Sequence, residues 1–147
     1  MSTDTKPRMI AADLVEWGDS GPALVAGRLC TDDSIIFPWP WHDESKGKRI
    51  LLSTHGRLWT FTVQRFQPKS PPYRPDIGRP FQPYLVGYVE FPEGIIVEGR
   101  IDGRVDVDSL RIGQTMVTTV VPIFAAETGE TIHIFAFRTA QASDMTG

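Results

Sequence analysis

Apolar and polar residues alternate with a period of two along most of the second half of the chain. From Arg57 to Phe66, Trp59, Phe61 and Val63 fall on one face and Leu58, Thr60 and Thr62 on the other, the pattern of a β-strand. Tyr84 to Phe91 and Ile95 to Ile101 follow. Pro92-Glu93-Gly94 between them has the length and the glycine of a tight hairpin loop, so they are predicted to be antiparallel neighbours. Met116 to Phe124 and Thr131 to Phe137 make a second hairpin across Glu127-Thr128-Gly129-Glu130, again rich in β-branched and aromatic residues. Asp106 to Ile112 leaves chain enough for a turn or a single helical turn.

Five strands spaced this way without long helices predict an all-β fold, a partly open Greek-key barrel of the OB type. Trp59, Phe61, Tyr84, Tyr88, Phe135 and Phe137 are assigned to its core. Upstream, Ile10, Leu14 and Trp17 recur at three and four, which predicts a short N-terminal helix ended by Gly18. Ala23 to Val25 and Ile35 to Phe37 flank the polar turn Thr31-Asp32-Asp33-Ser34 and read as a small hairpin. The prolines of Pro38-Trp39-Pro40-Trp41-His42 forbid a regular helix and hold the tryptophans extended. Ile50 to Leu52 adds a short strand. The expected organisation is a helix and hairpin over 1–52, the barrel over 53–140 and a flexible tail over 141–147.

Between the first two barrel strands, Gln67 to Pro83 carries six of the twelve prolines. Loops of this length are uncommon without a function. Tyr73, Ile77 and Phe81 punctuate it with apolar groups and Arg74 and Arg79 with charge, so it reads as a contact arm whose stiffness lowers the entropy lost on docking.

With 147 residues the chain has room for one domain and a short arm, and needs no disulfide or metal to bury a core. A net charge of −3 does not recruit polyanions. Cys30 is the sole cysteine, which precludes an intramolecular disulfide and reads as a small buried hydrophobe. No apolar run has signal-peptide or membrane-span length, so a cytoplasmic location is expected.

Candidate chemistry is sparse. His42, His55 and His133 are the acid–base candidates, but no nucleophile and orienting acid converge on any of them in the pattern. His133 reads as a structural strand histidine, and Ser53-Thr54-His55-Gly56 as a turn. Lys46, Lys48 and Arg49 are the one tight basic cluster, thin support for the single-strand nucleic-acid binding that OB barrels perform with exposed rings in a basic groove. Gly94, Gly99 and Gly103 precede no helix and read as turn and bend glycines, and the acidic stretch Glu90 to Asp108 lacks calcium-loop spacing.

Several segments together resemble the DUF35-type family of acyl-CoA-associated OB-fold proteins. Gly56-Arg57-Leu58-Trp59-Thr60-Phe61-Thr62-Val63 looks like that family's first barrel strand, and Pro83 to Val89 like its second. Glu90-Phe91-Pro92-Glu93-Gly94-Ile95 is similar to its strand-turn-strand step, and Leu110-Arg111-Ile112-Gly113-Gln114 to its Leu-Arg-Ile-Gly signature. The family has a zinc ribbon before the barrel, with two cysteine pairs flanking a Phe-Pro step. Counted from Phe37-Pro38, the four ligand positions here are Leu29, Asp32, Asp43 and Lys46, none of them cysteine. Cys30 is one residue out of register; Asp32 or Asp33 with His42 and Glu44 could supply oxygen and nitrogen ligands, but structural zinc prefers four closed ligands that are mostly thiolate or imidazole. A degenerate, metal-free ribbon is expected, held by Phe37, Trp39 and Trp41.

The resemblance implies a subunit that is not catalytic alone and that forms a hetero-oligomer with a thiolase-superfamily, lipid-transfer-protein-like partner. Such pairs act on CoA thioesters by acyl transfer, thiolysis or retro-aldol cleavage, steroid side chains included, with nucleophile and bases on the partner. It implies that this chain binds no cofactor of its own. Trp39, Trp41, Tyr73, Arg79, Phe81 and Pro83 are the residues expected at the partner or the acyl-CoA channel, because aromatic and arginine anchors dominate many interfaces. The alternatives are an OB-fold binder of single-stranded nucleic acid and a stand-alone carrier of acyl-CoA or another small ligand.

Overall fold

A computed structural model describes residues 8–9, 11, 14–39, 45–64, 83–125 and 129–141. An N-terminal group of short strands comprises β1 (Arg8–Met9), β2 (Val15–Gly18), β3 (Gly21–Leu29), β4 (Ile35–Ile36) and β5 (Gly47–Leu51). The barrel strands are β6 (His55–Gln64), β7 (Tyr84–Phe91), β8 (Ile95–Ile101), β9 (Thr115–Ala125) and β10 (Thr131–Thr139). They run in the order β10-β8-β7-β6-β9, and pairing of β9 with β10 closes the ring. Within the ring the one parallel pair is β8 with β10, through Arg100 with Ala136 and Ile101 with Phe137. This is the five-stranded OB-type barrel that the alternation predicts. The chain between β8 and β9 makes the single 3-10 turn Val107–Ser109, capped by the Asp106 side chain accepting from the Asp108 N–H.

The helix expected over Ile10 to Trp17 is overturned where the chain is described, because Val15–Gly18 is a strand antiparallel to β3. Gly21, at a φ of 104°, permits the tight reversal after Gly18. Val15 is then buried, Glu16 exposed and Trp17 half-buried, a period of two that competes with the wider spacing of Ile10, Leu14 and Trp17. The hairpin between the two apolar patches is present, with Gly27 opposite Ile36 on one side of β3 and Arg49 on the other.

Barrel and hairpin share one core. Leu24 and Ala26 of β3 and Leu52 after β5 are sealed in with Leu58, Val89, Phe91, Met116 and Phe137. The Phe37 ring meets Phe135 edge-on at 5.6 Å.

The first barrel strand departs from simple alternation. Leu58 pairs with Val89 but Thr60 pairs with Tyr88, so Trp59 is an extra residue in a β-bulge. Before the bulge the even residues Gly56 and Leu58 face inward; after it Phe61 packs on the core. Trp59, assigned to the core from the pattern, is instead 54% exposed. Tyr84 and Tyr88 are half-buried, and only Phe135 and Phe137 of the six aromatics are buried. The bulge is pinned by the Leu110-to-Gln114 segment. The Leu58 N–H donates to the Gln114 carbonyl at 2.9 Å, and the Gly113 N–H donates to the Leu58 carbonyl at 2.7 Å.

Asp102, 4% exposed at the end of β8, accepts from the Arg104 Nη2 at 2.7 Å and the Arg104 backbone N–H at 3.0 Å. The Arg104 hydrogen bond holds its carboxyl below the ordinary value, against the opposing effect of burial. A carboxyl with a depressed folded-state pKa stabilises the fold above the unfolded value, and that contribution disappears as pH falls through the folded one. Asp102→Asn is expected to lower the urea midpoint at pH 7, and the gap from the wild type is expected to be smaller at pH 3. An equal gap at both pH values would dismiss the linkage.

Candidate functional site

Trp39 lies on the hairpin. A methyl group on Gly27 would sit 1.8 Å from the Trp39 Cε3, and one on Gly47 would sit 2.9 Å from its Cη2. Two glycines on adjoining strands therefore form a flat bed for the indole, as the metal-free hairpin reading expects of Trp39. Pro83 is exposed immediately before β7. Trp41, Tyr73, Arg79 and Phe81 lie outside the described residues, as does the rest of the proline-rich loop.

The described residues at the ribbon's ligand positions, Leu29, Asp32 and Lys46, offer none of the thiolates or imidazoles that structural zinc prefers. Leu29 is aliphatic, and Lys46 spends its carbonyl on the Cys30 N–H at 3.1 Å. Asp32 is bound to the Ser34 hydroxyl and N–H at 2.7 and 3.0 Å, contacts that lower its pKa. Asp43 lies outside the described residues. Cys30, expected to be buried, is exposed at the hairpin turn. The turn places it beyond the last core residue of β3. The basic cluster is also divided: Arg49 is ion-paired with Glu16 of β2, whereas Lys48 stands opposite Arg28.

A site the pattern did not disclose opens at one end of the barrel. His55, Gly56 and Arg57 from β6, Glu90 and Phe91 from β7, Pro92 and Gly94 from the hairpin loop, and Thr115 from β9 line an open cleft of about 510 Å³. Register explains the gathering, since Arg57 pairs with Glu90 on one side and Thr115 on the other. Close approach is possible because Gly56 has no side chain: a methyl group there would come within 2.5 Å of the Val89 Cγ1 and 2.8 Å of the Glu90 carbonyl oxygen. Glu93 fastens the hairpin loop to the chain before β6, accepting from the Ser53 hydroxyl at 2.8 Å and the Ser53 N–H at 3.2 Å.

His55 opens β6 instead of lying in a turn. Its Nδ1 is 2.9 Å from the Thr54 hydroxyl oxygen, and its Nε2 is buried with no hydrogen-bond partner among the described residues. Glu93 is bonded to Ser53. Among the described residues no acid is bonded to the His55 ring, so the Thr54–His55 pair lacks there the third group that a nucleophile-and-base arrangement uses. His133 is a strand residue, half-buried, its Nδ1 likewise unpartnered among the described residues. Among the described residues no helix is long and apolar enough to cross a membrane.

Residues 50–120 match the model of the ChsH2 C-terminal OB-fold domain. No curated protein matches the chain in sequence. Among solved structures, a chain of the Ltp2-ChsH2(DUF35) aldolase is similar at 20% identity and a TM-score of 0.52, over 81% of this chain and 86% of that one. The motifs, the matched region and the strand order agree: the chain has the OB fold, and the findings support a DUF35-type OB-fold family.

Proposed function

We propose that the chain is an accessory subunit that assembles with a thiolase-superfamily, lipid-transfer-protein-like enzyme acting on acyl-CoA thioesters. The observation that carries this reading is the likeness of both barrel and hairpin to a component of an aldolase complex, over 86% of that component. The chemistry of the described residues is in keeping with it. The cleft has one exposed arginine, one glutamate and a histidine without an orienting acid, a set suited to contact and poorly suited to acyl transfer. The nucleophile and bases then reside on the partner, and this chain braces the partner and borders its acyl-CoA channel. Trp39, Trp41, Tyr73, Arg79, Phe81 and Pro83 are the contact residues first proposed. Trp39 is the least suited of them, since its indole already has a bed on its own hairpin.

Affinity purification of the tagged chain from its native cell, with native mass spectrometry and a metal assay on the same sample, tests the proposal. The expected product is a stoichiometric complex with a thiolase-fold subunit. Recovery of the chain alone, or with nucleic acid, would reject it. Phe81→Ala is expected to weaken that complex, whereas an intact complex in both Phe81→Ala and Trp39→Ala would remove the anchor assignment.

A further inference from the structure

We infer that an apolar layer on the outer face of the N-terminal hairpin, roofed by Trp39, does the structural work that a metal does in a ribbon, so that hairpin and barrel fold as one unit whether or not zinc is supplied. Alternation divides the side chains of β3 between two faces. Leu24 and Ala26 point inward and join the barrel core. Ala23, Val25 and Gly27 point the other way. Ala23 and Val25 are only 6% and 4% exposed, yet neither belongs to that core. A second layer covers them.

Gly47 continues this outer face on β5, since it pairs with Leu29, two residues beyond Gly27. The half-buried Trp39 lies against both glycines, so close that a methyl group on either would strike its ring. Arg49 stands opposite Gly27 on β5 and is ion-paired with Glu16, which stands opposite Ala23 on β2. The pair therefore spans the stretch of β3 that holds Val25, and the aliphatic stem of an arginine covers apolar surface while its head stays in water.

The turn that ribbon ligands would close is closed by hydrogen bonds instead. The Leu29 N–H donates to the Ser34 carbonyl at 2.9 Å and the Asp33 N–H to the Leu29 carbonyl at 3.0 Å, with Asp33 at a φ of 60°. Aspartate tolerates that left-handed conformation, and the Asp32 carboxylate accepts from the Ser34 N–H within the same turn. On the inner face, Phe37 against Phe135 and Leu52 within the core tie the hairpin to the barrel. Opening the hairpin would thus uncover the barrel core, whereas a small metal module that lacks such a core depends on its ion.

The test uses the full chain, dialysed against EDTA or given equimolar zinc chloride. Urea unfolding is expected to show one transition with the same midpoint in both, and the amides of β3 and β5 are expected to have protection factors within about 10-fold of those in β7 and β8. Trp39→Ala is expected to lower the midpoint and to cut protection about 10-fold or more in all four strands, in EDTA and in zinc alike. Trp39→Phe, which keeps a ring on the glycine bed, should lose less and serves if Trp39→Ala does not fold. A midpoint that falls on chelation or rises with zinc would show that metal holds the hairpin and would overturn the inference. So would an earlier, separate transition of β3 and β5, or Trp39 variants with undiminished protection.

Discussion

Phe137→Ala is expected to cost about 3–5 kcal/mol, a large part of the roughly 5–15 kcal/mol that holds a domain of this size together. Phe137 is completely buried, and its ring lies 6.0 Å from that of Phe91 and 5.9 Å from that of Phe135. Gly99 makes room for it, because a methyl group on Gly99 would come 2.8 Å from its Cε2. The residue also stands on the seam of the barrel, paired with Ile101 on β8 and Thr118 on β9. Truncation would therefore leave a cavity at the place where the ring closes, and rigid neighbours on both sides limit collapse. Urea unfolding should show a large fall in midpoint with an unchanged slope. Phe137→Leu, which keeps most of the volume, should cost much less, and equal losses in the two variants would show that the site tolerates a cavity.

Gly27→Ala is expected to destabilise by about 1–3 kcal/mol, the usual penalty for overpacking, although it adds only one methyl group. That methyl would lie 1.8 Å from the Trp39 Cε3 and 2.4 Å from its Cζ3, so the indole cannot keep its place. The penalty is thus a coupling between two residues twelve apart in sequence, not a property of the glycine. In a Trp39→Ala background the three closest contacts of that methyl are gone, and Gly27→Ala should become nearly neutral. A double-mutant cycle measures this directly, with a coupling of about 1–2 kcal/mol as the expected result. Additive effects would mean that the indole bed contributes nothing.

Most of the barrel was legible because period-two alternation and glycine-bearing turns are local signals. Tyr84 to Phe91, Gly94 and Ile95 to Ile101 lie in the structure much as the pattern sets them. The phase of β6 was not legible. A bulge is one inserted residue whose position depends on the partner strand and on Gly113 and Gln114, more than fifty residues away, so alternation alone assigned Trp59 to the core. The N-terminal segment failed for a related reason: Ile10, Leu14 and Trp17 support a helix only until Val15 finds β3. The cleft was out of reach because it is built by register, from His55 to Arg57, Glu90 and Thr115. What the sequence did yield about function came from four short motifs in order. One of them, Leu110 to Gln114, is now seen to seat a buried leucine and clamp Leu58.

The parallel pairing of β8 with β10 sets an order of events during synthesis. Once β6 to β9 have emerged, they make an open sheet whose two outer strands, β8 and β9, each have an unsatisfied edge. A single strand, β10, covers both at once, through Arg100 and Ile101 on one side and nine paired residues of β9 on the other. Until it arrives the nascent chain displays two hydrogen-bonding margins on which other chains could template, the hazard that closed barrels remove. Protection from misassembly is thus delivered in one step, late, by the strand that also carries Phe135 and Phe137.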